Sequence, residues 1–247
     1  MTRALFLLTA LATGLFAQTS ADFAQHFANE YRMVPNVTYL TMGGVDLKLD
    51  VYQKRNVTTP QPTLFFMHGG FWVAGNKESQ ILALLPWMEM GWNVVNVEYR
   101  LGAVAQAPAA LEDVMCAFKF IAAPAQTMAY NIDPNKIVVM GESAGGHLSL
   151  SLGIIPESAG LALQCENGQP MPKPAAVLNW YGIYDVQDVI DGKNKQPAAQ
   201  RWFGSMPDRM EIAKRVSPMT YVRAGLPPIL TVHGDADMVV PYPQAVK

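Results

Sequence analysis

The stretch Ile137-Val-Val-Met-Gly141-Glu-Ser143-Ala-Gly145-Gly-His147 decides how this chain is read. Its opening apolar run predicts a short strand covered on both faces, and residues 144–152 predict a helix. A strand passing into a helix through Gly-x-Ser-x-Gly needs both glycines, because a side chain at either place would strike neighbouring backbone. The tight bend lifts the serine hydroxyl above the sheet. Ser143 is therefore the candidate nucleophile, and the N–H of Ala144, at the positive end of the helix, is a candidate donor to an oxyanion.

Similar apolar runs occur at residues 63–67, 93–97, 175–180 and 229–232, separated by helical stretches near 79–90 and 109–122. Strand, helix, strand repeated in this way predicts an α/β fold with a mostly parallel central sheet and helices on both faces. Residues 37–42 and 45–52, the latter alternating as VDLKLDVY, predict an antiparallel pair turning at Gly43-Gly44. Residues 186–221 are more polar and contain two candidate short helices, 197–203 and 208–216. Lying beyond the carboxyl ends of the strands, this insertion reads as a small lid or pocket wall, with a plain surface excursion as the alternative.

A second motif precedes the first. Thr63-Leu-Phe-Phe-Met67 leads into His68-Gly69-Gly70-Phe71-Trp72, and a strand ending in His-Gly-Gly frees backbone N–H groups to face a site. Gly69, Gly70 and Phe71 are candidate donors to the oxyanion formed when a serine attacks an acyl carbonyl. Losing one such donor costs on the order of a hundredfold in rate. An ordinary glycine turn is the bland alternative, and bracing the loop backbone is the expected job of His68.

With 247 residues, half of them hydrophobic and 15% charged, the chain can bury a sizeable core. Eighteen basic against twenty acidic residues give a net charge of -2, which argues against a nucleic-acid partner. Arg3 followed by the apolar run Ala4 to Ala17 and small residues up to Ala21 reads as a signal peptide over residues 1–21. Residues 22–247 then form the domain, expected to be secreted or periplasmic with no stable membrane insertion. Cys116 and Cys165 either pair in that oxidising compartment or remain two small buried side chains. No metal-ligand spacing or phosphate loop occurs, so no cofactor is expected.

Six segments in order carry a resemblance: Leu49-Asp-Val-Tyr52, His68-Gly-Gly70, Val97-Glu-Tyr-Arg-Leu101, Pro108-Ala-Ala-Leu-Glu-Asp113, Gly141-Glu-Ser-Ala-Gly-Gly146 and His233-Gly-Asp-Ala-Asp237. The chain resembles α/β-hydrolases of the hormone-sensitive-lipase-like and feruloyl or acetyl-xylan esterase-like (BD-FAE-like) group. The resemblance implies the α/β-hydrolase fold, a serine carboxylesterase acting on small or carbohydrate-linked esters, no cofactor, and Asp237 as the acid that orients the base. Asp235 is the rival for that role. Phe71 stands where lipase-like members often carry a third glycine. The resulting His-Gly-Gly-Phe-Trp is similar to kynurenine formamidase-like sequences, so an arylformamidase-like amide hydrolase and a non-catalytic binding protein on the same scaffold remain alternatives.

In this fold the base follows the acid, yet no histidine follows Asp237, and His26, His68, His147 and His233 all lie elsewhere. The expectation is that the histidine, together with a further strand and helix, lies past Lys247, leaving an exposed sheet edge and an inactive fragment. Trp72 and Trp180 are candidate substrate-binding residues because both follow strands at the ligand end. Glu98, Arg100, Glu112 and Asp113 fit an ion-pair network better than acid–base work, and Asp185 a cap or turn.

Overall fold

In Val45-Asp-Leu-Lys-Leu-Asp-Val-Tyr52 the apolar residues alternate, and Leu47, Leu49 and Val51 are buried together on one face of a strand. The structure, a computed structural model, describes residues 20–165 and 170–246. Residues 1–19 of the expected leader lie outside the described residues. In chain order the elements are α1 (Ser20–Glu30), β1 (Tyr31–Met42), β2 (Val45–Lys54), β3 (Gln61–Met67), α2 (Ile81–Glu89), β4 (Asn93–Val97), α3 (Ala109–Ala122) and α4 (Pro124–Ala129). Next come β5 (Ile132–Glu142), α5 (Ala144–Ile154), β6 (Ala176–Trp180), α6 (Val186–Asp191), α7 (Pro197–Phe203), α8 (Arg209–Arg215), β7 (Ile229–Val232) and α9 (Pro243–Val246).

The strands form one sheet in the order β1-β2-β4-β3-β5-β6-β7. The β1/β2 and β2/β4 pairs are antiparallel, and every other pair is parallel. Gly43 and Gly44 both adopt positive φ, 58° and 81°, which is the backbone a tight hairpin between twisted strands requires. β1 starts six residues before the expected 37, at Tyr31. Pro35 has no N–H to give to the ladder, and the register shifts between Val34 and Val37, so a bulge absorbs the proline instead of ending the strand.

Both faces of the parallel part are covered, as continuous apolar runs require. Phe65, Met67, Val95, Val97, Val139 and Val177 join the core beneath α3 and α5, whereas Leu64, Phe66, Val94 and Met140 pack with Leu84 and Met88 of α2. Burying each such Phe or Leu side chain stabilises the fold by about 2 kcal/mol. Two links brace the first of these cores. Arg100 clamps Asp113 of α3 through Nη2–Oδ1 and Nε–Oδ2 contacts of 2.6 and 2.9 Å, the ion pair expected of those residues. Cys116 of α3 and Cys165 are disulfide-bonded, which settles the alternative left open by the sequence.

Strand β7 answers two expectations differently. It pairs with β6 alone and forms an exposed sheet edge, as expected, but its apolar run also predicts a doubly covered strand, and Ile229, Leu230 and Val232 are instead 38%, 58% and 41% exposed. Residues 186–221, by contrast, are no surface excursion. Val189, Ile190, Ala199, Trp202, Phe203, Ala213 and Val216 are fully buried, and α6, α7 and α8 dock as a wall over the carboxyl end of the sheet. Among the described residues no helix is long and apolar enough to cross a membrane.

Candidate active site

At the junction of β5 and α5, Ser143 has φ 54° and ψ −116°, a conformation that a residue bearing a side chain adopts only under constraint. The constraint is visible on both sides. The Ser143 N–H donates to the Trp180 carbonyl at 2.9 Å, and its carbonyl accepts from His147 N–H at 3.0 Å. A methyl group on Gly145 would run into the Met67 carbonyl, and one on Gly141 into the backbone of Gly145. Ser143 itself is half-buried at the end of the sheet.

The loop after β3 lies directly against this bend. A Cβ placed on Gly69 would stand 3.4 Å from Ser143 Cβ and 3.1 Å from the Glu142 carbonyl, so a side chain there would press on the bend. Gly70, Phe71 and Trp72 then all take positive φ, 117°, 51° and 59°. For Phe71 and Trp72 this costs on the order of 1 kcal/mol each, which the surroundings must offset. The N–H groups of Val73 and Ala74 close the turn on the Gly70 carbonyl, both at 3.0 Å. His68 braces the loop as expected: Nδ1 donates to the Gly69 carbonyl at 2.7 Å, and its ring stacks on Tyr99, whose hydroxyl donates to the His68 carbonyl at 2.9 Å.

The two tryptophans part company. Trp180 is 41% exposed at the end of β6, beside Glu142 in the strand register. Trp72, expected to meet substrate, has no exposed surface; its ring stacks on Trp202 of the wall at 4.3 Å, and its Nε1 donates to His147 Nδ1 at 3.1 Å. That expectation is corrected: positive φ at Trp72 turns its side chain down into the core, so Trp72 supports the loop from beneath.

After β7, Asp237 closes a turn in which its Oδ1 accepts from Val239 N–H at 2.7 Å and Val240 N–H at 2.9 Å. Its Oδ2 lies 3.6 Å from His233 Nε2, which donates to the Val240 carbonyl at 2.7 Å. Asp235 is exposed. The turn is held at a distance by Gln244, whose Oε1 accepts from the N–H groups of Tyr184 and Asp185 at 2.9 and 2.8 Å while its Nε2 donates to Asp188 Oδ2 at 3.1 Å. Asp185 caps α6, the role foreseen for it.

Two participants went unnoticed in the sequence, and a third had been weighed there only as a base and set aside. Tyr181, at φ 41°, donates its hydroxyl to Glu142 Oε2 at 2.7 Å and its N–H to the Val232 carbonyl at 2.8 Å, tying the Ser143 bend to the strand that carries the Asp237 turn. Burial first, and then the Glu142 carboxylate, raises its pKa, so it stays protonated. Gln244 is the second, and no local pattern announces it. His147 is the third. Nε2 faces the Val216 carbonyl at 2.7 Å and Nδ1 faces an indole N–H, so the proton must sit on Nε2. Burial lowers this ring's pKa to about 4 and keeps it neutral. Among the described residues no group of three or more His, Cys, Asp or Glu could hold a metal ion.

A parallel sheet carrying a strained serine at a strand–helix bend, with a glycine loop pressed against it, defines the α/β-hydrolase class. Within that class the chain belongs to the BD-FAE family, whose model matches residues 49–247. It is 30% identical over 204 residues to a probable carboxylic ester hydrolase, LipM, and 31% identical over 206 residues to the esterase LipC, both of Mycobacterium tuberculosis. Each match covers 80% of this chain but only 46% and 50% of those proteins, so the chain spans about half the length of these relatives. Among solved structures, a truncated carbohydrate esterase from gut microbiota is similar at TM-score 0.72 and 26% identity, covering 88% of this chain and 82% of that one. The apo esterase 2 of Thermogutta terrifontis shares the fold at TM-score 0.71 and 24% identity, covering 88% and 76%.

Proposed function

We propose that this protein is a serine carboxylic-ester hydrolase that works through an acyl-enzyme on small or carbohydrate-linked esters. The observation that carries the reading is the Ser143 bend, held at positive φ with its Cβ against Gly69. Ser143 Oγ attacks the acyl carbonyl, and the backbone N–H groups of Gly69, Gly70, Phe71 and Ala144 are the donors toward the resulting oxyanion. A base takes the hydroxyl proton and returns it to the departing alcohol; water then repeats the sequence in reverse and frees the acid. Asp237, with Oδ1 committed to two backbone N–H groups, keeps Oδ2 to orient that base.

The base itself is none of the chain's four histidines in this proposal. His147 and His68 are fully buried with ring nitrogens bonded to backbone carbonyls, and His233 is bonded to the Val240 carbonyl. Exported, oxidising surroundings are supported by the apolar leader and the Cys116–Cys165 bond. The relatives named as esterases support the ester class, and exposed Trp180 is the aromatic surface offered to the alcohol or sugar side.

The test is turnover of p-nitrophenyl acetate or butyrate by the protein, together with fluorophosphonate labelling. Ser143→Ala should abolish both, a loss on the order of a thousandfold or more. Undiminished turnover in Ser143→Ala would remove the assignment. An intact protein that cleaves N-formyl amides in preference to esters would move it to amide hydrolysis, and one that does neither and resists labelling is a binding protein.

A further inference from the structure

Why does a loop keep two successive side-chain-bearing residues, Phe71 and Trp72, in left-handed backbone when nothing local favours it? The four groups that meet at His147 supply the reason. Trp72 belongs to the glycine loop, His147 to the helix that starts at Ser143, and Val216 and Trp202 to the wall of residues 186–221. Trp72 Nε1 donates to His147 Nδ1 at 3.1 Å, His147 Nε2 donates to the Val216 carbonyl at 2.7 Å, and Trp202 closes the ring by stacking on Trp72 at 4.3 Å. All three side chains have no exposed surface.

The chemistry of the circuit allows one arrangement only. An indole N–H can only donate and a carbonyl can only accept, so a neutral imidazole between them satisfies both with its two different nitrogens. A buried indole left without its acceptor would pay the full desolvation penalty of its N–H, so Trp72 holds its orientation as long as His147 stays in place. His147 is in turn fixed to the nucleophile, because its own N–H closes the first turn of α5 on the Ser143 carbonyl at 3.0 Å.

We propose that His147 and Trp72 are a positioning pair, through which the seating of the wall on Val216 sets the Phe71 N–H relative to Ser143. Beyond its own turn bonds on Gly70, the oxyanion loop therefore takes its orientation from the helix that carries the nucleophile and from the insertion that shapes the pocket. This rests on the reading of Ser143 as nucleophile for its consequence in rate, but not for the mechanical coupling itself.

The coupling is measured by amide hydrogen exchange at Val73 and Ala74, whose N–H groups close the loop on Gly70, and at Ala107, whose N–H bonds the Trp202 carbonyl of the wall at 2.9 Å. His147→Leu removes both ring nitrogens; His147→Gln keeps an acceptor and a donor; Trp72→Phe removes the indole N–H together with part of the ring that stacks on Trp202. We expect exchange at all three amides to rise about tenfold in His147→Leu, with Trp72→Phe following in the same direction and Gln recovering most of the loss. On an ester substrate, kcat should fall about tenfold with KM within about twofold, since the oxyanion forms only after binding. Should His147→Leu fail to fold, Trp72→Phe carries the test alone. Unchanged exchange at Val73 and Ala74 in Trp72→Phe, or equal acceleration in Gln and Leu, overturns the proposal. An inactive wild type would instead count against the Ser143 reading and leave the exchange result to decide this one.

Discussion

The two halves of the candidate site are built by different means. On the side of the candidate nucleophile, Val139 of β5 is fully buried, and the buried side chains of His68 and Trp72 anchor the glycine loop in the core. On the acid side, β7 leaves Leu230 58% exposed, and Asp237 sits in a turn held by hydrogen bonds: two from backbone to its own carboxylate, one from His233, and the clamp of Gln244 further along. Close packing tolerates no added atom, whereas a hydrogen-bonded turn at an edge accepts volume but not the loss of a polar partner. The Ser143 half, the side of the candidate nucleophile, is therefore rigid by contact, and the Asp237 half, the side of the candidate acid, by bonding.

One substitution made in both halves gives the sharpest test of that contrast. Gly145→Ala drives a methyl group into the Met67 carbonyl and should cost more than about 4 kcal/mol or prevent folding. Gly234→Ala, in the acid turn, meets nothing within 4 Å and should stay within about 0.5 kcal/mol. Denaturant unfolding of the pair measures the difference, and equal costs would erase the distinction.

Acid should find the rigid half next. Burial holds His147 at about 4 rather than its ordinary 6.5, so between those values the unfolded chain binds a proton that the folded one refuses. Stability is thus fully present above pH 6.5 and falls as pH drops toward 4, by on the order of 3 kcal/mol from this ring. His147→Gln cannot take up that proton, so its unfolding free energy plotted against pH should be flatter than that of the wild type by this increment. Parallel curves would show that the ring is not buried neutral.

The smallest effect belongs to the acid half. Gln244→Ala removes an acceptor shared by two backbone N–H groups and should cost about 2 kcal/mol, expressed as local opening of residues 237–246 rather than global unfolding. Hydrogen exchange confined to that segment is the expected signature; spread into β5 would mean that the halves are coupled more tightly than their construction implies.

Much of the parallel sheet was legible because apolar runs such as Thr63-Leu-Phe-Phe-Met67 suit strands covered on two faces. Helix α3 lies where its periodicity placed it, and the bend at Ser143 lies between the strand and helix expected of it. Trp72 was misread for a definite reason. A residue that follows a strand is assumed to point onward from it, and only the backbone dihedral at that residue says otherwise. An exposed sheet edge was expected, but which strand would form it was not legible in the apolar run of β7, since an apolar strand reads the same whether or not a neighbour covers it.

Residue order along the chain determined the α/β class, the strained serine between its two glycines and the Arg100–Asp113 brace, because each follows from local sterics or from charges close in sequence. Tertiary structure alone decided that Trp72 supports the loop and Trp180 faces outward, that Tyr181 reaches Glu142, and that one neutral imidazole joins the glycine loop, the nucleophile helix and the wall. Those contacts join residues 39 to 75 positions apart, and only the folded backbone brings such partners within hydrogen-bonding distance.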